Sequence, residues 1–148
     1  MNEEIKRAIE FAMEKELEAE AFYKEWAAKV KSPAVVALFA EMAATEHGHY
    51  EMLAHLTPED LPGGEGAPAP QDLKISEMLV GAEATENMNV QEAMILAMKR
   101  EEGAAALYDE LARAGGETQS LFESLANDER KHKNQIETQY DDEILTEN

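Results

Sequence analysis

The chain has 148 residues, 44% of them hydrophobic, no cysteine and a formal net charge of −19. That length suffices for one domain with a real core, and the missing thiols exclude iron–sulfur clusters, rubredoxin-type centres and thiol catalysis, leaving oxygen and nitrogen to hold any metal. So acidic a chain makes a poor partner for nucleic acid or an anionic membrane, which are gripped by clustered Lys and Arg, and a better one for cations.

Ala, Glu, Leu, Met and Lys dominate, and no run alternates in the manner of a strand, so the chain is expected to be all-α. The opening MNEEIKRAIE is charged and lacks the apolar stretch of a signal peptide. No run approaches the roughly 18 apolar residues of a membrane span, which gives the expectation of a soluble cytoplasmic protein without a membrane partner. The first helix is predicted from about Glu3 to Val30, ending before Lys31-Ser32-Pro33. Ser32 can cap and Pro33 can open a second helix reaching about Leu56, and so short a connection makes the two antiparallel neighbours. From Thr57 to about residue 72 the sequence carries four of the five prolines and three of the eight glycines, which marks a linker. A short helix is predicted over 73–86. Asn89 then caps a third long helix to about Arg113, Gly115-Gly116 ends it, and Thr118 is expected to cap a fourth running to about Tyr140 before an acidic tail. The architecture predicted is a four-helix bundle of two hairpins joined by a long crossover containing the short extra helix.

The two hairpins repeat one another. LFAEMAATEHGH at 38–49 and LFESLANDERKH at 121–132 both end in Glu-x-x-His, and AMEKELEAEAFY at 12–23 resembles AMKREEGAAALY at 97–108. Glu16 therefore pairs with Glu101, Glu46 with Glu129, His49 with His132 and Tyr23 with Tyr108. Each of these acidic residues falls inside an apolar stripe. Glu16 sits between Ala12 and Ala19, Glu46 and His49 between Met42 and Leu53, Glu101 between Ala97 and Ala104, and Glu129 and His132 between Leu125 and Ile136. Four uncompensated carboxylates in a core would cost several kcal/mol each, more than a fold's net stability. Two divalent ions would balance them, with the imidazoles completing the ligand set.

A Glu from each of two helices with Glu-x-x-His from each of the other two is the ligand set of ferritin-like di-iron and di-manganese carboxylate proteins. EKELEAEAFYKEWA at 14–27 resembles the first helix of rubrerythrin-related members, and TEHGH and DERKH are similar to their ligand helices. The resemblance spans nearly the whole chain and implies one ferritin-like di-metal domain over 1–148. The ligands it implies are Glu16, Glu46, His49, Glu101, Glu129 and His132, with Glu46 and Glu129 bridging the ions and Glu16 and Glu101 terminal. One departure stands out. Rubrerythrins proper carry a further Glu one turn beyond the third-helix ligand, where this chain has Ala104, and usually a cysteine-bound rubredoxin iron, which this chain has no cysteine to hold. The set is closer to the six-ligand site of bacterioferritin.

Neighbouring candidates read differently. His47 lies one residue from Glu46 and so points about 100° away, whereas His49 at three residues shares its face; His47 and His55 are expected at the surface. Glu102 is one residue off the stripe, and Glu18, Glu20 and Glu41 are expected on the solvated face. Tyr23 and Tyr108, two turns past Glu16 and Glu101, are expected as core residues with satisfied hydroxyls, the alternative being a hydrogen bond to a group that supports the ligands from outside, or electron donation during oxygen chemistry. Trp26 and the methionines are expected in the core.

Carboxylates with one imidazole per ion suit iron or manganese and leave open positions for O2 or hydrogen peroxide. The function expected is a non-haem di-iron protein, a ferroxidase or rubrerythrin-like peroxidase with two Fe ions and a separate redox partner. Iron storage or delivery and a structural bundle, for instance with zinc, are the alternatives. The resemblance implies a homodimer, and the linker allows its hairpins to be exchanged between chains.

Overall fold

Four helices make up the secondary structure of the described residues, 3–57 and 88–147 in this computed structural model, with no strand among them: α1 (Glu3–Lys29), α2 (Pro33–Ala54), α3 (Val90–Arg113) and α4 (Gln119–Glu147). The expected short helix at 73–86 and all of the linker beyond Thr57 lie outside the described residues.

Capping chemistry sets most of the boundaries. Ser32 is extended and its hydroxyl accepts from the Val35 amide at 3.4 Å, with Pro33 supplying a first residue that needs no amide partner. Asn89 and Glu92 form a capping box: the Asn89 side chain accepts from the Glu92 amide at 2.8 Å, and Glu92 accepts from the Asn89 amide at 3.2 Å. α3 stops where Gly115 and Gly116 adopt φ of 75° and 79°, a left-handed conformation costly for residues with a Cβ.

Two expectations need correction. Thr118 stands at the cap position of α4, since its carbonyl accepts from Phe122 at 3.0 Å, but its buried hydroxyl finds no partner. Thr118 thus caps α4 through its backbone alone. α4 does not end near Tyr140 but continues to Glu147, because DDEILTE contains neither Gly nor Pro and its Glu, Ile and Leu tolerate a helix well enough to extend one already formed.

Within each hairpin the helices pack along their length, α1 on α2 and α3 on α4, while the hairpins meet each other more sparsely, α1 beside α3 and α2 beside α4. Two apolar clusters fill the bundle. One gathers Tyr23, Trp26, Phe39, Met94 and Ile136; the other gathers Ile5, Ile9, Leu53, Leu111 and Phe122. α2 therefore finishes at the Ile5 end, whereas α3 starts at the Trp26 end with Val90, so the described residues flanking 58–87 lie at opposite ends of the bundle. α1 and α3 consequently run antiparallel. None of the described helices is long and apolar enough to cross a membrane.

Candidate metal centre

Between the two apolar clusters the stripes turn polar. Glu16, Glu46, His49, Glu101, Glu129 and His132 are only 0–6% exposed, and each occupies the middle of its helix's buried face. All six of the sequence's candidate ligands are brought together there. Their donor atoms form two overlapping groups, Glu16/Glu46/His49/Glu129 and Glu46/Glu101/Glu129/His132, within each of which one atom per residue lies within 4.8 Å of the others. Glu46 and Glu129 belong to both groups, and each remaining residue to one.

The imidazoles are aimed inward. His49 Nδ1 is 2.8 Å from Glu129 Oε1 and 3.5 Å from Glu16 Oε1. His132 Nδ1 is 3.1 Å from Glu46 Oε1 and 3.5 Å from Glu101 Oε1. The rings stack with centroids 6.3 Å apart. These approaches are close ion pairs without being aligned for hydrogen bonding: both Nδ1 atoms, with Glu16 Oε2, Glu46 Oε1, Glu101 Oε2 and both Glu129 oxygens, are buried and have no hydrogen-bond partner. Among the described residues only the Thr118 hydroxyl shares that condition. Buried polar atoms are ordinarily satisfied, and seven orphans converging on one point fit the place of a ligand. Four carboxylates and two imidazoles are a suitable donor set for two iron or manganese ions.

Electrostatics tell the same story for the protein without metal. Burial pushes Glu46 and Glu129 well above the usual carboxylate range, and the neighbouring Glu101 charge adds to it. For Glu101 burial acts upward too, but its close contacts with Glu129 and His132, the His132 charge and the Tyr23 hydroxyl together outweigh it and bring the group below its ordinary value. Burial opposes charging of the imidazoles as well. The carboxylates overcome it, Glu16 foremost at His49 and Glu101 at His132, raising the two to about 9 and about 10. In the metal-free protein the two histidines, so raised, carry positive charge where cations would sit.

Surrounding groups fix the donors. Tyr23 on α1 donates to Glu101 Oε1 on α3 at 2.5 Å, and Tyr108 on α3 donates to Glu16 Oε1 on α1 at 2.5 Å. The crossing follows from antiparallel α1 and α3, each tyrosine standing about 10 Å along its helix from its own Glu. Burial, reinforced by Glu101 and Glu16, raises both phenols well above their ordinary value, so they remain donors. The tyrosines are core residues with satisfied hydroxyls, as expected, but their acceptors are the candidate ligands themselves. Asp128, which sequence reasoning missed, places Oδ2 3.0 Å from His49 Nε2 and orients the ring. Its only signal was its place immediately before Glu129. His47 is half-exposed and bound to Glu20 and Glu51 at 3.0 Å each, His55 caps α2, and Glu102 is exposed; none belongs to the cluster.

The sequence matches the Rubrerythrin family model over residues 7–140. The chain belongs to the rubrerythrin family. Compared with curated proteins and with solved structures, it has no match. Family membership and the buried carboxylate–histidine cluster together fit a di-iron protein, and the six residues of the cluster come from all four helices of the rubrerythrin bundle.

Proposed function

We propose that this rubrerythrin-family chain holds two iron ions through Glu16, Glu46, His49, Glu101, Glu129 and His132, and oxidises Fe(II) with O2 or hydrogen peroxide as a ferroxidase or peroxidase. The observation that carries this reading is the convergence of seven buried donor atoms without hydrogen-bond partners from these six residues. Bound iron supplies the electrons for reducing the oxidant. The protein's part is positioning and charge. Glu46 and Glu129 belong to both donor groups and would serve both ions, His49 and Glu16 would hold one, and His132 and Glu101 the other. Tyr108 and Tyr23 each occupy one oxygen of a terminal carboxylate, leaving Oε2 of Glu16 and of Glu101 for an ion. These 148 residues hold no cysteine for a rubredoxin-type iron, so a peroxidase cycle would take its electrons from a redox group outside them.

Aerobic addition of Fe(II) to metal-free protein tests the proposal. Near-ultraviolet ferric absorbance should rise to saturation at two irons per chain, and Glu129→Ala should abolish the saturable phase. Tight binding of two zinc ions with no acceleration of Fe(II) oxidation by O2 or peroxide would instead leave a structural metal bundle.

A further inference from the structure

A cleft of about 550 Å³ lies between α1 and α3, where the hairpins meet sparsely. Its floor includes Glu16, Glu46, Glu101 and Glu129. Two ions and a small oxidant need only a few water volumes of roughly 30 Å³ each, whereas pockets for organic ligands run from about 300 to 1,000 Å³. Most of this space therefore exceeds what the proposed chemistry requires.

We infer that the cleft binds a neutral, largely apolar organic molecule beside the metal pair, with its oxygen function on the carboxylate floor and its hydrocarbon between α1 and α3. The inference rests on the metal reading above for the floor's neutrality. Phe11, Phe22 and Leu107 supply apolar wall, and Ala19 and Ala104 keep it wide. Ala104 lies one turn past Glu101, where a longer side chain would extend into the cleft.

Charge selects the class of molecule. At the rim Lys15 pairs with Glu18 at 2.8 Å and Glu25 with Lys29 at 2.9 Å, while the Lys15 ammonium and Arg100 guanidinium stand over the rings of Phe11 and Phe22 at 5.3 and 5.1 Å. Rim charges of both signs are thus engaged. An anion would lose its hydration against the same apolar walls, over a floor with no net positive charge and within a chain of net charge −19. An organic cation would lose its hydration against apolar walls over a floor that two divalent ions neutralise. A neutral molecule bears neither cost, and the floor is where a hydroxyl or ketone finds polar partners.

Calorimetric titration of naphthol into the full chain loaded with redox-inert zinc tests this. Saturable binding of one naphthol per chain is expected. Ala104→Trp on α3 and Ala19→Leu on α1 should each weaken it by at least about tenfold, with zinc stoichiometry and helical circular dichroism unchanged. Octanoate should bind more weakly than naphthol. Absence of saturable naphthol binding to the wild-type chain overturns the inference, as does binding that neither filled variant weakens or tighter binding of octanoate. Zinc stoichiometry in the same samples separates the two readings: two zinc ions without naphthol binding removes this inference alone, and no zinc binding removes the metal reading beneath it.

Discussion

The two hairpins, residues 3–57 and 88–147, provide the same donors but do not surround them alike. Each contributes a Glu helix and a Glu-x-x-His helix, and each lends a tyrosine to the other, Tyr23 to Glu101 and Tyr108 to Glu16. Around the histidines they part company. Asp128, before Glu129, holds His49 Nε2; Thr45, in the corresponding place before Glu46, donates its hydroxyl to the Glu41 carbonyl at 3.1 Å along its own helix. Among the described residues no carboxylate pairs with His132 Nε2, since both of its ion pairs run through Nδ1. What the two hairpins share touches the centre, and what differs between them touches the donors from outside.

The largest effects should come from breaking what the halves share. Glu46 and Glu129 each serve both donor groups, so Glu46→Ala or Glu129→Ala should reduce bound metal from two ions per chain to none. Glu16→Ala and Glu101→Ala, which serve one group each, should leave one. Elemental analysis after zinc loading and desalting reads the difference, and equal losses from all four variants would refute shared carboxylates.

Removing the metal sharpens the comparison through pH. In the metal-free protein His49 and His132 are raised to about 9 and about 10, and Glu46 and Glu129 are raised as well. A raised group stabilises the fold fully below its unfolded pKa and loses that contribution as pH climbs through its folded pKa. For the histidines the window runs from about 6.5 to 10. Glu101, being lowered, acts with the opposite sign and only in acid. The melting temperature of the metal-free protein should therefore fall between pH 7 and 10, by roughly 10 °C if both histidines contribute. With zinc bound the donors are already deprotonated, so that fall should disappear, and loading should release protons measurable in weakly buffered solution.

Much of this arrangement was legible from the sequence because two periodicities coincide. The helical apolar stripe says which residues face inward, and the repeat says that four glutamates interrupting it are not accidents; Glu16 alone would pass for a surface residue. What escaped has physical causes. Asp128 has a half-exposed side chain and sits off the stripe, so neither periodicity marks it, and only the three-dimensional approach of α4 to α2 reveals its bond to His49. The crossing of Tyr23 and Tyr108 depends on α1 and α3 running antiparallel, which spacing within one helix cannot express. The extension of α4 past Tyr140 was hidden because the acidic tail reads as a frayed end, although nothing in it stops a helix.

A smaller effect should separate the halves most directly. Asp128 accepts from His49 Nε2 and so fixes the tautomer that leaves Nδ1 free for a metal, while its charge makes the ring a stronger donor. Asp128→Asn keeps the shape and an acceptor oxygen but removes the charge, and should weaken zinc binding at the His49 position by about 10- to 100-fold. The His132 position, without such a carboxylate, should change little, so a titration that begins with two unequal steps should end with two closer in affinity. Thr45→Asp offers the reverse experiment: a carboxylate at the matching place in the first hairpin should tighten the His132 position. If Asp128→Asn weakens both steps equally, the aspartate acts on the cluster's overall charge rather than on His49, and the asymmetry between the hairpins would have no bearing on the metals.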